Sequence, residues 1–259
     1  QTPVSGDQFT YVDVAAALVL VALALLLSWR QRLDLEKDLL IASVRAFVQL
    51  TAIGFVIALI LDADRGLWVL LMLAAMLTFA AFTAARNVRM VPGALWLMVV
   101  ALGLASATTL GVMIVLGIIP TGARYVIPIG GMIIGNTMNV ASVTALRIVQ
   151  DAGAQRGRIE AALALGAEPR VAAHGIVRRA VRLAMVPVID STKTMGIVFL
   201  PGAMTGMILA GAPPLEAVRL QVVVMFMLIA ATGLAATTVT WLMPSRLFTP
   251  HQQLRRFDT

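Results

Sequence analysis

The sequence predicts an all-α, polytopic membrane protein, on three observations: an apolar composition, a series of long apolar runs, and basic residues that collect between those runs. Residues of the set AVILMFWYC make up 60% of the 259 residues, and charged residues only 13%. An ordinary soluble domain is about 45–50% apolar even with glycine counted, and about 25% charged. A water-soluble chain this apolar would lack the polar groups to cover its surface. The bilayer is its natural solvent.

Crossing about 30 Å of hydrocarbon takes roughly 20 mostly apolar residues. Seven runs meet that requirement: residues 11–29, 39–61, 67–85, 94–119, 123–146, 183–210 and 217–243. Tyr11 and Trp29 bracket the first, and Arg30, Arg32 and Lys37 separate it from the second. Trp68 stands near the start of the third, which Arg86 and Arg89 follow, and Trp96 stands near the start of the fourth. Tyr125 opens the fifth, and Trp241 lies near the end of the seventh. Amphipathic rings collect at the headgroup level, so these positions agree with the spans. Only residues 148–182, between spans five and six, are long enough to form an extramembrane element, and residues 1–259 otherwise read as a single transmembrane domain.

Orientation follows from the basic residues. With the N-terminus outside, the inner segments hold fifteen of the twenty Lys and Arg. The outer segments hold Arg65, Arg124 and Arg219, while Arg45 and Lys193 fall within spans. The positive-inside rule therefore predicts seven spans, with the N-terminus outside and the C-terminus in the cytosol. The same placement accounts for the net charge of +7 without a nucleic-acid partner, since a basic patch with stacking aromatics is missing. The stretch before the first span lacks a basic n-region, so no cleavable signal peptide is expected. The chain has no cysteine, which excludes disulfides and thiolate ligands.

The segment between spans five and six holds the most specific signal. It reads Arg158-Ile159-Glu160-Ala161-Ala162-Leu163-Ala164-Leu165-Gly166-Ala167-Glu168-Pro169, then continues as an amphipathic run past His174 and Arg182 to Pro187. Gly166 and Pro169 predict the end of a short helix over 159–165. Its alanine-rich surface is small and flat. The string resembles the EAA motif of ABC permeases, which implies a coupling helix docked in a cleft of an ATPase subunit. On that resemblance Glu160, Ala161, Ala162, Leu165, Gly166 and Ala167 are the coupling residues.

Three further strings widen the likeness. They are Arg45-Ala46-Phe47-Val48-Gln49-Leu50, Gly130 through Asn139, and Pro187 through Thr194 with Leu200-Pro201-Gly202-Ala203-Met204-Thr205-Gly206. Together they resemble the FetB family of bacterial permeases implicated in iron export, to which plant aluminium-tolerance half-transporters are also similar. The resemblance runs from about Leu33 to Met243. It implies a permease of the bacterial cytoplasmic membrane that exports iron or another metal or chelate. It also implies a homodimer paired with cytosolic ATPase subunits like FetA. The chain itself has no phosphate loop of the form G-x-x-x-x-G-K-[ST], so it is expected to bind no cofactor, with ATP and Mg held by the partner. An enzyme is not expected, because His174 and His251 lie outside the spans, which leaves an intramembrane serine without a base.

Charges within spans are costly and mark function or a specific pairing. Arg45 and Gln49 lie one turn apart in span two. Asn136 and Asn139 share a face of span five, and Asp190 and Lys193 fall at a similar level of span six. The six place a polar layer in the inner third of the bilayer. It either lines a substrate path or locks helices, with Arg45, Asp190 and Lys193 paired. Those three ionisable groups sum to +1, which suits an anionic or chelated substrate better than bare iron. Met132, Met138, Met195, Met204 and Met207 cluster in spans five and six, where packing explains them better than soft-metal binding. Gly131 with Gly135, and Gly202 with Gly206, are spaced for close helix packing, and Pro201-Gly202 is expected to kink span six or serve as a hinge. Two rival readings stand beside the permease: an ion-gradient-driven secondary transporter with Asp190 as the coupling acid, and a membrane anchor or receptor without transport activity.

Overall fold

The computed structural model describes residues 11–32, 34–63, 66–255 and 257. Among them no β-strand forms; two isolated bridges join Met195 to Phe199 and Phe248 to Leu254. The chain divides into two compact units, one ending at Ala63 and one beginning at Asp64.

The first unit is a helical hairpin of α1 (Tyr11–Gln31) and α2 (Glu36–Ala63). Arg32 and Asp34 both take positive φ in the connection, which turns the chain within a few residues. Ser28 Oγ donates to Glu36 Oε1 at 2.8 Å, tying the end of α1 to the start of α2. Arg45 and Gln49 lie one turn apart on α2, in this unit.

The second unit contains α3 (Gly66–Asn87), α4 (Ala94–Val115), α5 (Ala123–Ala154), α6 (Arg156–Ala164), α7 (Pro169–Thr194), α8 (Gly202–Leu209), α9 (Pro214–Leu242) and α10 (Pro244–Leu247). Among the described residues α3, α4, α5 and α9 are the helices long and apolar enough to cross a membrane. In the first unit, 18–31 and 39–55 are shorter apolar stretches. α5 is the central post, packed on α3, α4, α7 and α9. Its contact rows are built from small residues. Ala81 and Ala84 of α3, Ala101 and Ala105 of α4, Ala141 and Ala145 of α5, and Ala235 of α9 are all fully buried in one core. Small side chains let helix backbones approach where lipid leaves no hydrophobic drive between them. A Cβ on Gly130 would lie 2.5 Å from Leu73 Cδ2, and one on Gly131 2.8 Å from Met76 Cε, so α3 and α5 meet closely here. A Cβ on Gly135, Gly202 or Gly206 would meet nothing within 4 Å. Large apolar side chains such as Leu70, Leu104, Val112 and Phe226 remain exposed on the outer faces. This is the pattern of a helical bundle whose outer solvent is lipid.

Span six departs from its predicted form. Its helix does not begin at residue 183, because α7 runs unbroken from Pro169 and absorbs the amphipathic run with Arg178, Arg179 and Arg182. The helix then stops at Thr194, well before Pro201-Gly202. Gly196 turns with φ 83, its N–H bonds to Phe199 O at 2.9 Å, and helix resumes only after Pro201 as α8. The stretch predicted as span six is thus a helix, a loop and a second short helix, and the break is a loop rather than a kink.

Candidate functional site

Two places in the second unit gather the polar and motif residues. The first is the end of the bundle that carries α6. Pro92, in the α3–α4 turn, accepts a hydrogen bond from Arg246 at 2.8 Å, and Arg156 of α6 donates to Leu254 O at 3.1 Å. The α3–α4 turn, α6 and residues 244–255 therefore share one end. Arg124 and Arg219 open α5 and α9 at the other.

α6 is held by one face and open on the other. Ile159 is buried in the core, while Glu160, Ala161, Ala164, Leu165 and Gly166 are exposed. Ala162 and Ala167 are half-buried. The helix ends in a pair of reversed hydrogen bonds, Gly166 N–H to Leu163 O at 2.9 Å and Ala167 N–H to Ala162 O at 3.0 Å. That Schellman closure needs a left-handed residue, and Gly166 supplies it with φ 88. Pro169 then starts α7 at a position where its missing N–H costs nothing. The outcome is an apolar tip. Leu165 is 89% exposed, and Val171, in the first turn of α7, is 65% exposed. Val171 was not singled out from sequence, and its only sequence signal is an apolar residue beside Arg170.

The second place is a cavity of about 220 Å³ between α5, α7 and α9. Asn136 and Asn139 line it from α5, Ser191 and Thr192 from α7, and Leu228, the middle residue of α9, from the third side. Met195 borders it at the point where α7 breaks, and Gln221 Nε2 reaches the Met195 sulfur at 3.6 Å. Asn136 Nδ2 donates to Met132 O at 2.8 Å, and Thr192 Oγ1 to Val188 O at 2.8 Å. The Asn139 amide makes no hydrogen bond among the described residues and is open to the cavity. Gln221 is a buried amide that sequence reasoning passed over; its Oε1 has no partner among the described residues.

Asp190 and Lys193 turn away from this cavity. They form an ion pair of 3.6 Å, with side chains 61% and 69% exposed, on the outer face of α7. The cavity thus joins the two asparagines to Ser191, Thr192 and Met195, and leaves the charged pair on a separate face. Arg45 and Gln49 belong to the first unit. Among the described residues no three His, Asp or Glu side chains gather in one group.

A family model described as "Uncharacterised protein family (UPF0014)" matches residues 11–248, nearly the whole of this chain. The chain belongs to the UPF0014 family. It is 44% identical to the rice (Oryza sativa subsp. japonica) "UPF0014 membrane protein STAR2", covering 92% of this chain and 84% of that one. Identity to "Protein ALUMINUM SENSITIVE 3" of Arabidopsis thaliana is 41%, over 94% of this chain and 89% of the other. Identity to the Escherichia coli (strain K12) "Probable iron export permease protein FetB" is 34%, over 96% of both. The resemblance drawn from the motifs is borne out. No solved structure gives a significant match. This UPF0014 chain is a multi-pass, all-helical membrane protein, and its relatives include a named permease.

Proposed function

We propose that this UPF0014 chain is the membrane-spanning permease subunit of an ABC transporter, moving a metal ion or metal chelate out of the cell and driven by a separate cytosolic ATPase. The observation that carries this reading is α6. It is a short helix between two long ones, pinned by Ile159, with an exposed tip of Ala161, Ala164, Leu165 and Gly166. Such a tip fits a groove on a partner protein. The similarity to an E. coli protein named an iron export permease supports the substrate class.

Seven spans complete the proposal, with α7, its break and α8 together forming the sixth. The basic residues of α6, of α7 as far as Arg182, and of residues 244–255 gather towards the end assigned to the cytosol, as the positive-inside rule asks. A homodimer is the proposed assembly. The Asp190–Lys193 pair is exposed within a membrane-embedded helix, where a charge facing lipid is costly, so this face belongs against a second copy or along a wet path. ATP-dependent flux in vesicles holding both subunits tests the function.

The topology has its own test, because the chain contains no native cysteine. Thr121→Cys, in the exposed α4–α5 connection, is expected to react with an impermeant maleimide in intact cells. Arg89→Cys, in the exposed α3–α4 turn, is expected to react only after permeabilisation. The reverse pattern would invert the orientation.

A further inference from the structure

Residues 244–255 are tied into a hook rather than trailing from α9. Phe248 and Leu254 pair as an isolated antiparallel bridge, Thr249 N–H bonds to Gln253 O at 2.8 Å, and Arg255 N–H bonds to Leu247 O at 2.9 Å. Leu247, Phe248 and Leu254 are buried in the same core as Ile159 of α6. The guanidinium of Arg156, in the first turn of α6, donates to both Leu254 O and Arg255 O, at 3.1 and 3.4 Å. It also pairs with Glu160 one turn on, at 2.7 Å. One side chain thus ties the start of α6, its motif glutamate and the hook. A polar groove of about 870 Å³ opens between α6 and the hook, lined by Glu160, Leu163, His251, Gln252 and Arg255 among others.

α6 touches its neighbours α5 and α7, and Leu163 packs against the core, but its own hold on the bundle is slight. It is nine residues long, and isolated helices of that length are marginal in water. Its single buried residue is Ile159. A docking helix transmits force only if it cannot pivot on its own base. We infer that the hook of residues 244–255 sets the pose of α6, and that Arg156 is a positioning residue for coupling to the ATPase. This rests on the docking role proposed for α6 above.

The test uses the full chain with Arg156→Ala, Arg156→Lys and Leu254→Ala, the last attacking the clamp from its other side. Amide hydrogen exchange of residues 159–167 is measured in the permease alone. Affinity for the ATPase and flux per ATP hydrolysed are measured in the complex. Losing hydrogen bonds from a charged donor is expected to speed exchange across α6 about tenfold, weaken ATPase binding about tenfold and lower flux per ATP. Arg156→Lys, which keeps one charged donor, is expected to recover part of each loss, and Leu254→Ala to reproduce the Arg156→Ala pattern should that variant accumulate poorly. Unchanged exchange across α6 in both alanine variants would overturn the clamp, whatever the ATPase does. Faster exchange with unaltered ATPase binding would instead remove α6 from the docking site.

Discussion

Leu165→Glu is expected to abolish co-purification with the proposed cytosolic ATPase and its stimulated hydrolysis, while leaving this chain as stable as before. Leu165 is 89% exposed, so the substitution removes no core packing. Surface changes of this kind usually fall within about 0.5 kcal/mol in stability. In a docked complex the same position would bury a carboxylate in an apolar groove without a partner, which costs several kcal/mol or more. A loss of a hundredfold or more in affinity therefore follows from one exposed side chain. Thermal unfolding in detergent checks the first half, and binding of the purified ATPase the second. Normal binding by the variant would place the docking site elsewhere. Gly166→Ala is a weaker companion, because it strains a left-handed position by about 1–2 kcal/mol without adding charge.

Asn139→Leu should produce the opposite combination, a normal complex that hardly transports. The Asn139 amide faces the cavity and spends no hydrogen bond on the fold, so an apolar replacement of similar size is tolerated by the bundle. Interhelical polar contacts in membranes average only about 0.6 kcal/mol, which bounds the stability change. If the cavity is part of the path, flux should fall at least tenfold with ATPase binding intact. Ser191→Ala is expected to act in the same direction, being on the facing wall. Wild-type flux in Asn139→Leu would show that substrate passes by another route, with the exposed Asp190–Lys193 face the next candidate.

Most of the helical bundle was legible because apolar runs of span length leave few alternatives in a chain with so few charges. The exception was α7. Arg178, Arg179 and Arg182 made its first half read as an extramembrane amphipathic run separate from the span that follows, whereas one helix carries both. Its break was hidden for the reverse reason. Ile197, Val198, Phe199 and Leu200 look like span interior, yet they form an exposed loop, with Ile197 89% exposed, because Gly196 and Pro201 set its two ends. The α6 residues were visible because Gly166 and Pro169 stop a helix by local chemistry alone. Charges within an apolar stretch drew attention to Asp190 and Lys193, whereas the cavity is lined by the quieter neighbours Ser191 and Thr192. Those become visible only once the register of α7 against α5 is known. The hook had no sequence signature of its own, since Leu247, Phe248 and Leu254 are too sparse to announce a buried segment.

The most direct measurement is flux through proteoliposomes that contain the permease and its ATPase, assayed against a panel of metal ions and metal chelates. Flux of one of these should require ATP and Mg on the side that exposes α6, and should vanish with Leu165→Glu. Flux that runs on a proton or sodium gradient without ATP, and survives Leu165→Glu, would contradict an ATP-driven permease and make this chain a secondary transporter.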